Sequence, residues 1–305
     1  MLPLAPLLTA SLLLQNPAAG DEASTTPSVP YPIQETVDAA EGDGEAILRR
    51  LVDGMGRDGL EELERIGFTT EYWNWRGPKL AYYEKFRTKG SYGPNPRGLV
   101  REATISPDSG QSQDVRFVVN EDDRFYVQKT TVSSSFQAEQ MATHSYFNQL
   151  FLVLGPWLVE RAGADVAYEG VATLSTFTPR TYVAPEEDGS GGFSNYEPEE
   201  LRCHKLRVAL PPEFEGANGP EAILWVSLGE EPRLVAFRSL VESRAYAYGR
   251  TEPIYHLVEW QEVGGIRVPR TIDMSPPNDA ERQERIVVAD VELDVEVEDA
   301  ELRRP

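Results

Sequence analysis

The chain has 305 residues, with 29 Lys and Arg against 50 Asp and Glu, a net charge of −21 and a sequence pI of about 4.6. A field of that sign repels phosphate backbones and anionic bilayer surfaces, so nucleic acid and acidic membranes are disfavoured as partners. Hydrophobic residues at 40% and aromatics at 10% suffice for a real core, and the length admits either one large β-rich domain or two smaller ones. Cys203 is the single cysteine, so no intramolecular disulfide can form. With His144, His204 and His256 it makes a set too small and scattered for structural zinc spacings.

Residues Leu2 to Leu14 form an uncharged apolar block, followed by Ala18 and Gly20 and then by Asp21-Glu22. The block is too short for a spanning helix, which needs about 20 apolar residues. It reads as a signal peptide over 1–20 cleaved after Gly20, although no Lys or Arg precedes it. The expectation is export to the periplasm or out of the cell, with no integral membrane span. Residues 21–43, rich in Ser, Thr, Pro and acid, read as a disordered leader, and 44–305 as a single domain.

Behind Asp43 as N-cap, Ile47, Leu48, Leu51, Val52 and Met55 recur at helical spacing, and Leu60, Leu63 and Ile66 repeat the pattern after Asp58. Two short amphipathic helices follow from that. From Tyr72 the texture changes to aromatic and β-branched runs broken by Gly, Pro and Asn. Strands are predicted over 71–76, 80–87, 99–106, 114–120 and 124–132. A long buried helix follows Ser135, carrying Met141, Tyr146, Phe147, Leu150, Phe151 and Leu154, with Gly155-Pro156 interrupting it before Trp157-Leu158. Strands resume at 166–177, 201–210, 223–228, 234–240, 255–262, 266–272 and 286–297, while 186–200 reads as a solvated loop.

Two segments are sharper than the rest. Val263-Gly264-Gly265 joins two strands, since glycine supplies the positive φ of a tight hairpin. Val291, Leu293, Val295 and Val297 alternate with Asp290, Glu292, Asp294, Glu296 and Glu298, the period of two of a strand with one wet face. Together the elements predict an α+β fold of mostly antiparallel β structure. It would be a large curved sheet or incomplete barrel with helices on its concave face and an apolar hollow between them.

Catalytic signals are weak. Gly54-Met55-Gly56-Arg57-Asp58-Gly59 matches the dinucleotide fingerprint in letters, but it follows an amphipathic helix instead of a parallel strand and reads as a helix-to-helix turn. No Gly-x-Ser-x-Gly elbow, His-Glu-x-x-His or Gly-Lys-Ser/Thr motif occurs. A triad assembled in space stays open, with His144 and His256 as the available bases. The aromatic cluster Tyr72, Trp73, Trp75, Tyr82, Tyr83 and Phe86 suits stacking on sugar rings, lining a lipid cavity, or simple packing against helices. Period-two alternation would point Trp73 and Trp75 the same way.

The segments Ile223–Arg238 and Glu259–Ile272, each a strand, a polar or Gly-Gly turn and a strand, together with the closing run 286–297, resemble the bacterial lipoprotein-carrier superfamily of LolA/LolB-like proteins. The resemblance covers the C-terminal third and, elsewhere, the order of elements. It implies an incomplete β-barrel closed by helices around a cavity for acyl chains or another hydrophobic ligand, with no cofactor. The segment around Gly189 to Gly192 departs from the family as an insertion.

The reading is therefore an exported, non-catalytic protein holding a hydrophobic small molecule or acyl chain, with Trp73, Trp75, Phe147, Phe151 and Trp157 as lining residues and no metal. Two alternatives stand beside it. One is an interaction module with a packed core and an acidic surface for a protein partner; the other is a hydrolase with a spatially assembled site.

Overall fold

The computed structural model describes residues 35–38, 40–76, 79–92, 96–105, 112–120, 123–128, 131–183, 192–209, 221–240, 254–275 and 282–304. The expected signal peptide and most of the expected leader lie outside them. The leader gives way earlier than its composition suggests, because Glu35–Asp38 forms strand β1.

The first helix, α1 (Gly44–Gly54), begins as predicted: Asp43 caps it by accepting the backbone N–H of Ala46 at 3.0 Å. Ile47, Leu48, Leu51 and Val52 lie on its buried face. The second, α2 (Arg57–Glu62), is shorter than the periodicity implied, and Ile66 belongs instead to β2 (Arg65–Arg76). Between the helices Gly56 sits at φ +90°, and a Cβ there would collide with the Gly265 carbonyl. The fingerprint glycines thus serve close packing of the helix turn on a hairpin.

After β2 come β3 (Lys79–Ser91), β4 (Gly98–Ile105), β5 (Ser112–Val119), β6 (Arg124–Gln128) and β7 (Thr131–Ser133). The long helix α3 (Phe136–Arg161) is capped by Ser135 and runs through Gly155-Pro156 without interruption. An internal proline removes one backbone hydrogen bond, at a cost of roughly 3 kcal/mol. Burial of Trp157, Leu158 and Val159 just beyond it offsets that cost and keeps the helix intact. Then follow β8 (Val166–Val183), β9 (Gly192–Ala209), β10 (Glu221–Ser227), β11 (Leu234–Leu240), β12 (Ile254–Val263), β13 (Ile266–Ser275) and β14 (Arg282–Leu293).

Among the described residues these strands form one antiparallel sheet that does not close, in the order β1-β8-β9-β10-β11-β12-β13-β14-β2-β3-β4-β5-β6-β7. Two expectations are corrected. Residues from Gly192 to Glu200 are strand, paired with β8 as far as Val183↔Gly192. Their Gly, Pro and acid content reads locally as loop, and the ladder with β8 overrides it. The last strand ends at Leu293: Asp290 at φ 49° makes a bulge against β2, Asp294 at φ 53° turns the chain out of the sheet, and Val295 and Val297 lie past its end. The alternation of exposure nonetheless persists to Glu298, with the acids outward. The Gly264-Gly265 hairpin forms as expected, at φ 56° and 84°.

The helices lie on one face of the sheet. There α3 packs Tyr146, Phe147, Leu150, Phe151 and Leu154 into a core shared with Phe68, Val100, Phe117, Leu206, Leu224, Phe237, Ile272 and Ile286. Each such side chain contributes roughly 1.5–3 kcal/mol by leaving water. Mid-helix, the Tyr146 hydroxyl donates to the Ser91 carbonyl at 2.7 Å, in space that any side chain at Gly90 or Gly98 would fill.

The opposite face carries two smaller apolar groups. Ala172, Leu174, Cys203, Ile223, Trp225, Ala236 and Ile254 form one. The other, Leu99, Val118, Phe125 and Val127, is covered by Leu302 of the segment after β14. That segment is tied across the outer face by Arg97 to Asp299 (2.7 Å), Lys89 to Glu301 (3.4 Å) and Arg304 to Asp123 (2.6 Å), with the Arg304 guanidinium over the Phe125 ring.

Candidate functional site

Strand register divides the expected lining residues between the two faces. Along β2, Thr70 donates to the Oε1 of Gln149 on α3, and Gln149 Nε2 donates to the Tyr72 hydroxyl at 3.3 Å, so Thr70 and Tyr72 face the helix. Trp73, one residue on, faces the other side. Its ring lies 4.3 Å from that of its cross-strand partner Tyr83. Trp75 lies in β2, and its side chain is outside the described residues. Phe147, Phe151 and Trp157 do lie on the concave side. They are at most 5% exposed among the described residues and belong to the buried core. Alternation alone does not say which parity meets the helix, and the register places Trp73 on the face away from α3.

The concave face continues beyond α3, and the register assembles it row by row. Phe237, Tyr255, Met274, Glu284 and Asn74 stand side by side across β11, β12, β13, β14 and β2. The next row holds Ile272, Ile286, Tyr72 and Glu84, and Phe86 lies beyond, opposite Thr70. Phe237 and Tyr255 stack with centroids 4.7 Å apart, Phe151 meets Phe237 edge-on, and Tyr72 meets Phe86 edge-on at 5.1 Å. Tyr72, Phe86 and Tyr255 are half-buried and pack on the core, whereas the α3 residues beside them are sealed.

Polar groups punctuate this apolar surface. Asn74 donates to the buried carboxylate of Glu284, and Gln149 is a buried amide on an otherwise apolar stretch of helix. Burial pushes the Tyr72 phenol well above its ordinary pKa, and the nearby Tyr255, Glu84 and Glu284 push the same way, so its O–H stays protonated. The rows therefore offer aromatic faces, a methionine and a few fixed hydrogen-bonding groups, the composition usual for small-molecule sites. Of these residues the sequence singled out Tyr72 and Phe86. Tyr255, Met274 and Gln149 went unnoticed, although a lone amide among leucines and phenylalanines was a signal at Gln149.

The other residues weighed for chemistry do not converge. His144 is exposed on α3 and bonded to Asn148 Nδ2 at 2.7 Å, whereas His256 is buried in β12 on the face away from α3. Cys203 and His204, adjacent in β9, point to opposite faces: the thiol lies in the outer apolar group and the imidazole meets the Tyr168 hydroxyl at 3.2 Å. Among the described residues, no three His, Cys, Asp or Glu side chains are grouped to hold a metal, and no helix is long and apolar enough to cross a membrane.

No family model and no curated protein matches the chain. Among solved structures it is similar to a DUF1329 family protein from Desulfovibrio piger, with 11% identity and a TM-score of 0.49 over 85% of this chain and 97% of that one. It is similar also to a LolA superfamily protein from Nitrosomonas europaea, with 11% identity and a TM-score of 0.45 over 86% of this chain and 98% of that one.

Proposed function

We propose that this is an exported, non-catalytic protein that binds a hydrophobic or lipid-like molecule on the concave face of its open sheet, in the stretch beyond α3. The observation that carries the reading is the set of half-buried aromatics, Tyr72, Phe86 and Tyr255, which pack on the core yet are less deeply buried than the α3 side chains beside them. Covering such a surface drives association at roughly 25 cal/mol per Å² of apolar area, less the cost of immobilising the ligand. The Tyr72 hydroxyl and the Asn74–Glu284 pair would orient a polar end against that apolar body.

The interaction-module alternative is favoured by a specific observation too: Phe147, Phe151 and Trp157 of α3 are at most 5% exposed among the described residues. The two readings part at the rows beyond the helix. Solvent extraction and native mass spectrometry of the purified protein, with a titration by the fluorescent fatty acid cis-parinaric acid, decide between them. Ligand binding predicts a co-purified amphiphile or saturable uptake that Tyr255→Asp weakens at least tenfold. A ligand-free spectrum with no uptake supports the packed module.

A further inference from the structure

The strap after β14 is held to the sheet almost entirely by side chains. Asp294 anchors its start: the backbone N–H donates to the Arg65 carbonyl at 2.8 Å, and a carboxylate oxygen accepts the Glu64 N–H at 3.3 Å. From Val295 to Arg304, among the described residues, no backbone group bonds to the backbone of the sheet. The N–H groups of Glu301 and Leu302 turn back instead onto the carbonyls of Glu298 and Asp299 within the strap. Leu302, 3% exposed, is the one buried side chain of these ten residues.

The rest of the hold is ionic and wet. Arg97 and Asp299 are 49% and 67% exposed, and Arg304 and Asp123 are 46% and 35% exposed. Hydrogen bonding to Arg97 keeps the Asp299 carboxyl below its usual pKa, and Arg304 does the same for Asp123, so both pairs join full charges at neutral pH. Arg116 Nη2 adds a bond to the Arg303 carbonyl at 3.1 Å. Around these contacts the charges sort by sign. The strap carries Glu296, Glu298, Asp299 and Glu301 against Arg303 and Arg304, whereas the ground beneath it offers Lys89, Arg97 and Arg116 against Asp123. Register also sets Arg101, and beyond it Arg87 with its partner Glu292, in the row of Arg116. Like charges side by side in a ladder repel, and an acidic segment laid against them relieves that repulsion.

We infer that Val295–Arg304 is a salt-operated latch, which swings off the outer face about Asp294 while the sheet stays folded and so uncovers the apolar patch of Leu99, Val118, Phe125 and Val127. Three properties of the strap give it that behaviour. Its release breaks no rung of the sheet, since the strap contributes none. Its ion pairs lie between exposed groups, whose attraction salt screens. Its apolar hold is concentrated in Leu302, with Val297 half-buried beside it. Salt acts on the rest of the chain in the opposite sense, because it screens the self-repulsion of a net charge of −21 and thereby favours the compact sheet. One reagent therefore loosens the strap and firms the body beneath it.

The test is a sodium chloride titration of the full chain at neutral pH, from about 0.01 M to about 1 M, over which the screening length falls from about 30 Å to about 3 Å. Methyl NMR signals of Leu302 and Val297 report the strap, those of Leu150 and Leu154 report the core, and the neutral dye Nile red reports uncovered apolar surface. The latch predicts that the Leu302 and Val297 signals move to the positions of a free segment while the core signals stay, and that Nile red emission at least doubles with the same midpoint. With Lys89→Gln and Arg97→Gln together, that midpoint should fall at least threefold in salt concentration. The rise in emission should survive in Tyr255→Asp, which separates this patch from the concave surface. The inference is overturned if the Leu302 signals hold their places up to 1 M, if they move only together with those of Leu150 and Leu154, if the double variant leaves the midpoint unchanged, or if Tyr255→Asp abolishes the rise.

Discussion

The two faces of this sheet bury their side chains by different means. On the concave side a single helix fills the curvature with Tyr146, Phe147, Leu150, Phe151 and Leu154, and the polar groups that remain, such as Gln149 and Thr70, are bonded to one another. On the outer side burial is piecemeal: a charged fork of Asp273 and Arg285, the His256 imidazole without hydrogen-bond partners, two small apolar groups and a crossing strap of ion pairs. The concave face draws its stability from area removed from water. The outer face relies on pairings whose net worth is small while intact and whose loss is costly, since breaking a buried ion pair strands a charge.

That contrast can be broken in measurable steps. Phe151→Ala, which empties a site between α3 and Phe237, should cost about 3–5 kcal/mol by chemical denaturation. A loss below 1 kcal/mol would mean that α3 is not the centre of the core. Asp273→Ala should cost nearly as much, about 3 kcal/mol, because the buried Arg285 loses both bonds of its fork to that carboxylate. Replacing both, Asp273→Leu with Arg285→Met, should recover most of that loss; if it does not, the pair contributes more than mutual compensation.

The third step uses pH. The folded-state pKa of His256 is about 4, below the 6.5 of an unfolded histidine, so between these values the unfolded chain holds the extra proton. Its neutral burial therefore contributes fully above pH 6.5 and is lost as pH falls through 4, a change of about 3 kcal/mol. Stability measured from pH 7 to 4 should fall less steeply in His256→Phe than in the parent chain, and equal slopes would show that the ring is reached by water. The smallest effect is expected at the strap. A double-mutant cycle on Lys89 and Glu301 should give a coupling of about 0.2–1 kcal/mol that fades in high salt.

Much of the architecture was legible in the residues. Asp43 and Ser135 announced their caps, the Gly264-Gly265 hairpin fell where φ had to be positive, and period-two alternation located most strands. What escaped was set by partners distant in sequence. The acidic stretch from Gly192 becomes strand because β8 lies alongside it, Pro156 stays helical because its neighbours are buried, and Glu35–Asp38 pairs with β8 despite a leader-like composition. The candidate site was less legible for the same reason. Alternation shows that Tyr72 and Trp73 face opposite ways, but only the Gln149 bonds reveal which of them faces the helix. The ground under the strap is a similar case: Leu99, Val118 and Phe125 become one patch only once three strands take their places, and no local pattern links them to Leu302.

The strap after β14 bears on the order of assembly. Leu302 caps a surface built from residues 99 to 127, and Arg304 closes on Asp123 across 181 residues, and it can do so only once β14 has paired with β2 over a still longer separation. Contacts of such sequence separation form late, because the entropy of closing the intervening chain is lost before the contact rewards it. Phe125 and Val127 therefore wait with their outer side wet until the far end of the polypeptide arrives. Amide protons of β5 and β6 should be among the last to gain protection during refolding, well after those of the β12–β13 hairpin.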